Sequence, residues 1–378
     1  MDTTAPGWRV ETRTTASTVF AGVLGLAVAM AVVAPLFVSR GTVQNLFFIL
    51  TMLVLAQSWN MLAGFAGLVS VGQQAFVGFG AYAMFACVIL FKLDPLAAIG
   101  LSGVAAALLA ALTSRFLFRL HGAYFAIGSW VIAEVVRLLL AQWKALGGGT
   151  GTSLPTGVTR EMWGVGAVGH LFGLRPAQAT DVVCYWLALV LAIVTIGFVY
   201  RLLRSRQGLA LAAVRDNQEA ARSIGVDARG LKTFVYLAAG FLAGLVGALI
   251  YVQKARISPD AAFSVVDWTA YVIFIVVIGG IGSLEGPNIG AVVFFVLREW
   301  LASFGAWYLI ILGAISIVVI LFEPRGVWGA CRRWGVPDLL PVSYGPLARE
   351  PQNGSPPSEE YKDKLPIVGP RPERSARR

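Results

Sequence analysis

Charged residues are scarce in this chain. Asp, Glu, Lys and Arg together make up 13% of the 378 residues, whereas hydrophobic residues reach 57%. Soluble globular domains carry about 25% charged residues, because their surfaces face water. The scarcity of charge therefore excludes an ordinary soluble domain. It predicts a polytopic membrane protein of the all-α class, with Gly (42 residues) at close helix contacts.

Residues that carry enzyme and metal chemistry are also few. The chain has two histidines, His121 and His170, and three cysteines without CxxC spacing. This composition predicts no catalytic site, no metal site and no disulfide framework. The dipeptide Gly-Lys is absent, so the chain lacks a GxxxxGK[ST] phosphate loop and is not expected to hydrolyse ATP. We expect a protein that is not an enzyme and needs no cofactor.

Long apolar runs, by contrast, are abundant. A membrane-spanning helix needs about 20 mostly apolar residues. Ten runs approach that length: 17–38, 43–62, 71–91, 96–118, 122–142, 181–200, 233–253, 265–282, 288–304 and 306–322. The run at 71–91 opens with polar residues and Gly, and the last two runs are short. Eight or nine spans with a re-entrant segment are therefore an alternative to ten.

The positive charge indicates the orientation. With ten spans and a cytoplasmic N-terminus, the cytoplasmic loops and the start of the tail, up to residue 333, hold fourteen Lys and Arg residues, and the external loops hold seven. Basic residues favour the cytoplasmic side. We expect a cytoplasmic N-terminus at 1–16, a transmembrane bundle at 17–325 and a cytoplasmic tail at 326–378. The net charge of +10 then reflects membrane topology and a lipid bilayer, not nucleic acid.

Two connecting segments stand out by length. Residues 143–180 form a long external loop with a Gly-, Thr- and Pro-rich cluster, and residues 201–232 form the largest basic cytoplasmic loop. The C-terminal tail is rich in Pro and charge and has few apolar residues to bury. It is expected to be largely disordered.

The basic loop contains an amphipathic pattern. At 100° per residue, Leu209, Ala213, Ala220 and Ile224 fall on one side of a helix, and Arg215, Glu219 and Arg222 fall on the other. Gly225 is a natural C-terminal stop. Asp227 is placed to cap the next helix. Two interpretations fit this helix equally well. It packs on its own bundle, or it docks a cytoplasmic subunit.

Sequence motifs favour docking. Glu219, Ala220, Ala221 and Gly225 form EAAxxxG, which resembles the loop signature of ABC-importer permeases. Three further blocks resemble the permeases of branched-chain amino acid transporters (LivM type). They are NMLAGFAGLVSVGQQAFVGFGAY at 60–82, RLHGAYFAIGSWVIAEVVRLLL at 119–140 and GGIGSLEGPNIGAVVF at 279–294. The chain departs from that family at Gln73, where His is common, so a titrating role at this position is not supported.

The resemblance implies a function and partners. It implies a permease subunit of an ABC importer in the bacterial cytoplasmic membrane, with two ATPase subunits, a second permease of LivH type and an external solute-binding protein. The solute would be a branched-chain amino acid, or a small polar solute such as urea or an amide. The residues expected to couple to the ATPase are Arg215, Glu219, Ala220, Ala221, Ile224 and Gly225.

Polar residues inside apolar runs are the candidates for a substrate path. They are Asn60, Ser70, Gln73, Gln74 and Glu134. Broken helices rich in Gly and polar residues line the path in many transporters. The alternative for the block 60–82 is close helix packing through small residues. Glu134 alternatively pairs with Arg137 one turn away. If Glu134 instead binds a proton or Na⁺, the alternative function is an ion-coupled secondary transporter.

Overall fold

The computed structural model describes Gly25 and residues 28–334, except 302, 303, 306 and 324. The predicted N-terminal segment 1–16 and the tail beyond residue 334 lie outside the described residues, as does most of the first half of the predicted span 17–38. The helices are α1 (Arg40–Asn60), α2 (Gln73–Phe91), α3 (Pro95–Leu117), α4 (Ala123–Ala141), α5 (Val158–Glu161), α6 (Val165–Phe172), α7 (Pro176–Leu203), α8 (Arg206–Asp216), α9 (Gln218–Ser223), α10 (Ala228–Lys254), α11 (Pro259–Ala262), α12 (Tyr271–Gly279), α13 (Gly286–Leu301), α14 (Trp307–Phe322) and α15 (Gly326–Arg333). Residues 28–33 are also helical.

Short elements connect these helices. Two π-helical turns, Met61–Phe65 and Val266–Ala270, continue α1 and precede α12. The 3-10 turns are Ala34–Leu36, Lys144–Leu146 and Gly148–Thr150. Two strands of two residues, β1 (Thr152–Ser153) and β2 (Arg256–Ile257), pair antiparallel, with Thr152 opposite Ile257. The all-α, polytopic class predicted from composition is confirmed.

Seven helical segments of the described chain are long and apolar enough to cross a membrane. They are Arg40–Phe65, Gln73–Phe91, Pro95–Leu117, Ala123–Ala141, Pro176–Leu203, Ala228–Lys254 and Pro259–Gly279. An eighth is obtained if α14 and α15, which meet at a bend of 41°, count as one span. α13 was predicted as a span at 288–304, but its 16 residues fall short of the roughly 20 that a bilayer needs.

Side-chain caps set where several of these helices begin. The Ser39 hydroxyl accepts a hydrogen bond from Thr42 N at 3.3 Å at the start of α1. The Asp94 carboxylate accepts one from Leu96 N at 2.8 Å, and Pro95 occupies the first position of α3. Asp227 accepts one from Gly230 N at 2.9 Å, which confirms the predicted cap of α10. Each cap satisfies a backbone donor that has no partner inside the helix.

Close backbone contacts hold α10 in the centre of the bundle, against α2 and α3. A Cβ placed on Gly80 would overlap the backbone of Gly244, and one on Gly247 would overlap the carbonyl of Val77. Small residues let helix backbones approach in this way, which increases van der Waals contact where lipid offers no hydrophobic driving force. Around these contacts the large side chains Tyr82, Tyr236 and Phe85 are fully buried.

We expect Gly247→Val to destabilise the bundle, because the new side chain would force α10 away from the Val77 carbonyl. Overpacking of this kind costs about 1–3 kcal/mol or more. Gly197→Val is the matched control, since Gly197 has no atom within 4 Å of an added Cβ. Thermal unfolding in detergent should show a lower midpoint for Gly247→Val than for Gly197→Val. Equal midpoints would contradict the contact.

The two ends of the bundle carry different connections. The basic end holds residues 61–72, 118–122, 204–227 and 280–285, which contact one another. For example, Arg215 Nη1 donates to Gly64 O at 3.0 Å. The loop end holds residues 92–94, 142–175 and 255–258. There Trp163 N donates to Asp94 Oδ2 at 3.0 Å, and Leu154 N donates to Ala255 O at 2.9 Å.

Candidate transport site and coupling segment

The helix is interrupted between α1 and α2, where residues 67–72 are not helical. After the π-helical turn, Leu68 N donates to Leu62 O at 2.9 Å and the chain reverses along α1. Trp59 Nε1 then donates to Ser70 O at 2.7 Å, and Val71 N donates to Ser129 Oγ of α4 at 2.9 Å. Backbone groups outside a helix need such protein partners at membrane depth. The re-entrant segment 66–72 is therefore fixed by side chains of α1 and α4.

Gln73 and Gln74 open α2 inside the bundle, and both are buried. Gln73 Nε2 donates to Leu55 O at 3.0 Å and to Ser58 Oγ at 2.9 Å, whereas its Oε1 is buried without a hydrogen-bond partner. Gln74 Oε1 accepts a hydrogen bond from the Thr269 hydroxyl in the second π-helical turn. The two amides thus connect α2 to α1 and to the span Pro259–Gly279.

Asn60 joins α1 to a distant loop. Its Oδ1 accepts from Gly282 N at 2.8 Å, and its Nδ2 donates to Ser283 O at 2.8 Å. Gln57, one turn earlier, donates to Leu284 O at 2.9 Å and to Asn288 Oδ1 at 3.0 Å. The sequence analysis did not select Gln57. A signal was available, because Gln57 and Asn60 lie three residues apart in an apolar helix. Two buried amides are costly in lipid unless both form hydrogen bonds.

Glu134 belongs to a three-membered ion cluster. Arg137 Nε donates to both Glu134 carboxylate oxygens at 3.0 Å, and Arg137 Nη1 donates to Asp260 Oδ1 at 2.7 Å. The Glu134–Arg137 pair considered from the sequence is therefore present, with Asp260 as an additional partner. Glu134 is bonded to Arg137, whereas Asn60, Ser70, Gln73 and Gln74 are all bonded around the break between α1 and α2.

The basic loop differs from the single helix expected at 209–225. It forms two helices, α8 and α9, which meet at Asn217 in an extended conformation (φ −154°, ψ 104°). The Asn217 side chain accepts from Glu219 N at 3.1 Å and from Ala220 N at 3.0 Å, so it caps α9. Asn favours caps over helix interiors because its side chain bonds the local backbone. The predicted stop at Gly225 is present, with φ +89°.

The break changes which side chains face outward. Leu211, Val214 and Ala221 are buried, and the last two form a small cluster with Ala228. Leu209 and Ile224, which the wheel placed on the same apolar stripe, are 61% and 76% exposed. The prediction of one continuous helix is thus wrong, whereas the four residues named for the stripe are exposed or half-buried. Because α9 is rotated relative to α8 at Asn217, each short helix buries its own residues.

The exposed surface of this loop contains both apolar and charged groups. Leu209, Ala220 and Ile224 are exposed beside Glu219, whose carboxylate accepts from Arg222 Nη1 at 2.9 Å. We call this set, with Gly225, the α8–α9 surface. An exposed ion pair contributes little to stability. The large exposed apolar side chains next to it are the kind of feature that marks a contact surface for another protein.

Arg215 faces the bundle. Its guanidinium bonds Gly64 O at 3.0 Å, at the π-helical turn after α1, and a Cβ on Gly282 would lie 3.5 Å from Arg215 Nη1. Because Asn60 bonds Gly282, three elements meet here: α8, the end of α1 and the loop 280–285. Arg215 therefore connects the α8–α9 surface to the re-entrant segment.

Comparison with known proteins identifies the family. A family model described as "Branched-chain amino acid transport system / permease component" matches residues 41–320. The chain belongs to this family. The LivM permease of Escherichia coli K12, named for high-affinity branched-chain amino acid transport, is 29% identical over 309 residues, which cover 79% of this chain and 72% of that protein. LivM of Salmonella typhimurium LT2 is 30% identical over 315 residues, with the same coverage of both chains.

A more distant relative has a different named solute. The fructose import permease FruF of Bifidobacterium longum is 30% identical over 122 residues, which cover 31% of this chain and 33% of that protein. No solved structure matches the chain. The predicted membership of the LivM-type permeases is confirmed, and with it a multi-pass membrane protein. A transport permease component is not an enzyme, and this membership favours a subunit of a transport system over an ion-coupled secondary transporter.

The matched region of this permease contains the residues that the sequence analysis selected. Both the α8–α9 surface and the break between α1 and α2 lie within residues 41–320. The glycines of the block 60–82 pack tightly: a Cβ on Gly72 would overlap the Ser129 carbonyl, and one on Gly64 would lie 2.6 Å from Gly282 N. These glycines pack closely, as one of the two interpretations has it, and the substrate path along the block stays a prediction.

Proposed function

We propose that this permease is the membrane subunit of an ATP-driven ABC importer that moves branched-chain amino acids into the cell. The observation that carries the proposal is the connection through Arg215. A loop that exposes Leu209, Ile224 and Glu219 on one side is bonded on its other side to the broken region of the bundle. A docking element for a motor subunit needs both properties.

The basic loop 201–232 also suggests how the permease is oriented in the membrane and where its partners bind. The basic end would face the cytoplasm, because the loop 201–232 holds seven Lys and Arg residues. The N-terminus and the tail would lie on the same side of the bacterial cytoplasmic membrane. Two ATPase subunits would bind there through the α8–α9 surface. A second permease of LivH type would complete the pathway.

The solute-binding protein would dock at the loop end. The segment 142–175 lies there, and it exposes Trp163 and Leu171 at 76% and 77%. Exposed large apolar side chains of this kind suit a transient protein contact. This placement separates the two proposed docking sites by the full thickness of the membrane.

Motion would pass along a continuous set of contacts. The ATPases would displace α8, and Arg215 would transmit that displacement to Gly64 and, through Asn60, to Gly282. Gly282 follows the span Pro259–Gly279, whose Thr269 bonds Gln74 at the start of α2. The coupled elements would then alternate between outward-open and inward-open arrangements, which is how transporters with broken helices work.

The proposed solute class rests on the relatives. The two LivM proteins match 79% of the chain, whereas the fructose permease matches 31%. The longer match favours branched-chain amino acids over a sugar. Urea and small amides, the other solutes considered from the sequence, become competitors in the uptake test.

Uptake by the assembled transporter tests the proposal. The chain is purified with its native partners and reconstituted in liposomes, with ATP inside and the solute-binding protein outside. We expect inward transport of L-leucine, L-isoleucine and L-valine that requires ATP, and no comparable transport of fructose or urea. ATP-independent uptake by the purified chain alone would contradict the importer mechanism and support the ion-coupled alternative.

A further inference from the structure

A cavity of about 480 Å³ opens near the loop end of the bundle. Its walls come from the first half of α1, the end of α10, the second π-helical turn and the end of α13. None of the residues selected from the sequence as the substrate path or the coupling segment lines it. The volume lies within the range of about 300–1,000 Å³ that is typical of small-molecule sites.

The cavity brings together charges of both signs. Asp267 contributes a carboxylate from the π-helical turn, and Lys254 and Arg298 contribute cationic groups from α10 and α13. Within the described part of the chain, none of these three side chains forms an ion pair within 4.0 Å. Charged groups near the membrane interior are costly when unpaired. The cavity therefore presents charges of both signs that act on one another across it but form no direct ion pair.

Aromatic rings hold the two cations in place. Lys254 Nζ lies 5.2 Å from the ring centroid of Trp268, and Arg298 Cζ lies 4.1 Å from that of Phe48. Such cation–π contacts orient the cations without neutralising them. The two rings also form an apolar part of the cavity wall. In addition, Gln253 Nε2 is buried without a hydrogen-bond acceptor. Buried donors almost always have a partner, so this amide is a candidate ligand contact.

We propose that this cavity binds the zwitterionic head group of the amino acid on its way through the permease. Asp267 binds the ammonium group, Lys254 and Arg298 bind the carboxylate, and the rings of Phe48 and Trp268 contact the branched side chain. A neutral sugar or urea has no charge to pair with either set. The inference rests on the proposed function for the identity of the solute.

The position of the cavity connects it to the coupling contacts. Trp268 lines the cavity, and the next residue, Thr269, bonds Gln74 at the start of α2. The other end of the same span leads to Gly282, which bonds Asn60. One span thus contacts the proposed head-group site and, at its other end, the region held by Arg215.

Protection of an engineered cysteine measures binding without transport. Asn45 lines the cavity, and in the described part of the chain its side chain has no hydrogen-bond partner. The Asn45→Cys variant is made with Cys87, Cys184 and Cys331 replaced by Ala and is labelled with a maleimide in the full-length chain. We expect millimolar L-leucine to slow the labelling, and fructose and urea to have no effect. Leu171→Cys, exposed at the loop end, should label at the same rate with and without L-leucine.

Two leucine analogues separate the two halves of the site. Isoamylamine keeps the ammonium group and lacks the carboxylate, whereas isocaproate keeps the carboxylate and lacks the ammonium group. We expect Asp267→Asn to raise the half-protecting concentration of L-leucine and isoamylamine about tenfold, with isocaproate unchanged. Arg298→Gln should raise the values for L-leucine and isocaproate, with isoamylamine unchanged. Glu161→Gln and Arg160→Gln are the charge-matched controls, because both side chains are exposed outside the cavity.

The outcomes distinguish this inference from the proposed function. L-leucine uptake by the assembled transporter together with unprotected Asn45→Cys would overturn the site and leave the function standing. Protection with the analogue pattern above supports the site, whatever the uptake measurement gives. Protection that all four charge variants retain equally would also overturn the inference, because the charges would then have no part in binding.

Discussion

Glu219→Lys and Gly225→Arg should each abolish detectable association of the ATPase subunits while the chain stays in the membrane. Both residues belong to the α8–α9 surface: among the described residues the Glu219 side chain bonds only Arg222, and an added Cβ on Gly225 has no atom within 4 Å, although its φ of +89° strains any side chain placed there. Reversing the charge at Glu219 replaces an exposed ion pair by like charges, which costs only a few tenths of a kcal/mol in the fold. A protein partner seated on this surface would instead face a reversed charge or a long cationic side chain.

Copurification from membranes measures this effect. We expect the ATPase in the pull-down to fall by about thirtyfold to a thousandfold, because interface contacts of this kind contribute about 2–4 kcal/mol. Arg119→Glu is the control, since it reverses an exposed charge at the same end of the bundle, outside the α8–α9 surface. An unchanged pull-down in both variants would show that the ATPases dock elsewhere.

Arg215→Gln should separate docking from transport. We expect the ATPases to remain bound and to hydrolyse ATP, while L-leucine uptake by the reconstituted transporter falls at least about tenfold. The reason is the loss of the guanidinium bond to Gly64 O at 3.0 Å, which joins α8 to the end of α1. A hydrogen bond from a charged group contributes about 1.5–3 kcal/mol, enough for a tenfold change in coupling.

Two further variants make that measurement specific. Arg215→Lys keeps the charge but presents a different donor geometry, so we expect intermediate uptake. Asp216→Ala removes the other side-chain partner of Arg215, an exposed contact of 3.3 Å, and should leave uptake near the parent level. If Arg215→Gln lost the ATPases as well, Arg215 would be a docking residue, as the sequence analysis grouped it. Full L-leucine uptake by the Arg215→Gln transporter would exclude both the coupling role and the docking role of Arg215.

Local features were predictable where neighbouring residues decide them. The cap at Asp227 and the stop at Gly225 depend on backbone geometry within a few residues, and both were anticipated. The helix break at Asn217 is also local, but an amide inside an otherwise helical pattern is ambiguous between solvent exposure and capping. A helical wheel assumes one continuous axis, so it could not show the change of direction at Asn217.

The roles of the buried amides were beyond the reach of the sequence. Asn60 was expected to line a path, and the structure bonds it to Gly282, 222 residues away. Gln57 has a comparable partner, Leu284 O, 227 residues away. The sequence shows that a polar side chain in an apolar helix needs a partner. Which partner it finds depends on how the helices pack.

The sequence by itself determined the membrane class, the family and the candidate docking segment, because these depend on composition, on the length of apolar runs and on motifs of adjacent residues. It also excluded ATP hydrolysis through a phosphate loop. The tertiary structure decided which face of the α8–α9 segment is exposed, which side chains hold the re-entrant segment and the loop 280–285, and where Asp267, Lys254 and Arg298 meet in one cavity. The amides of Gln57 and Asn60 bond the loop 280–285, whereas Trp59 and Ser129 hold the segment 66–72. Most of these contacts join residues far apart in the chain, so they exist only once the helices have packed.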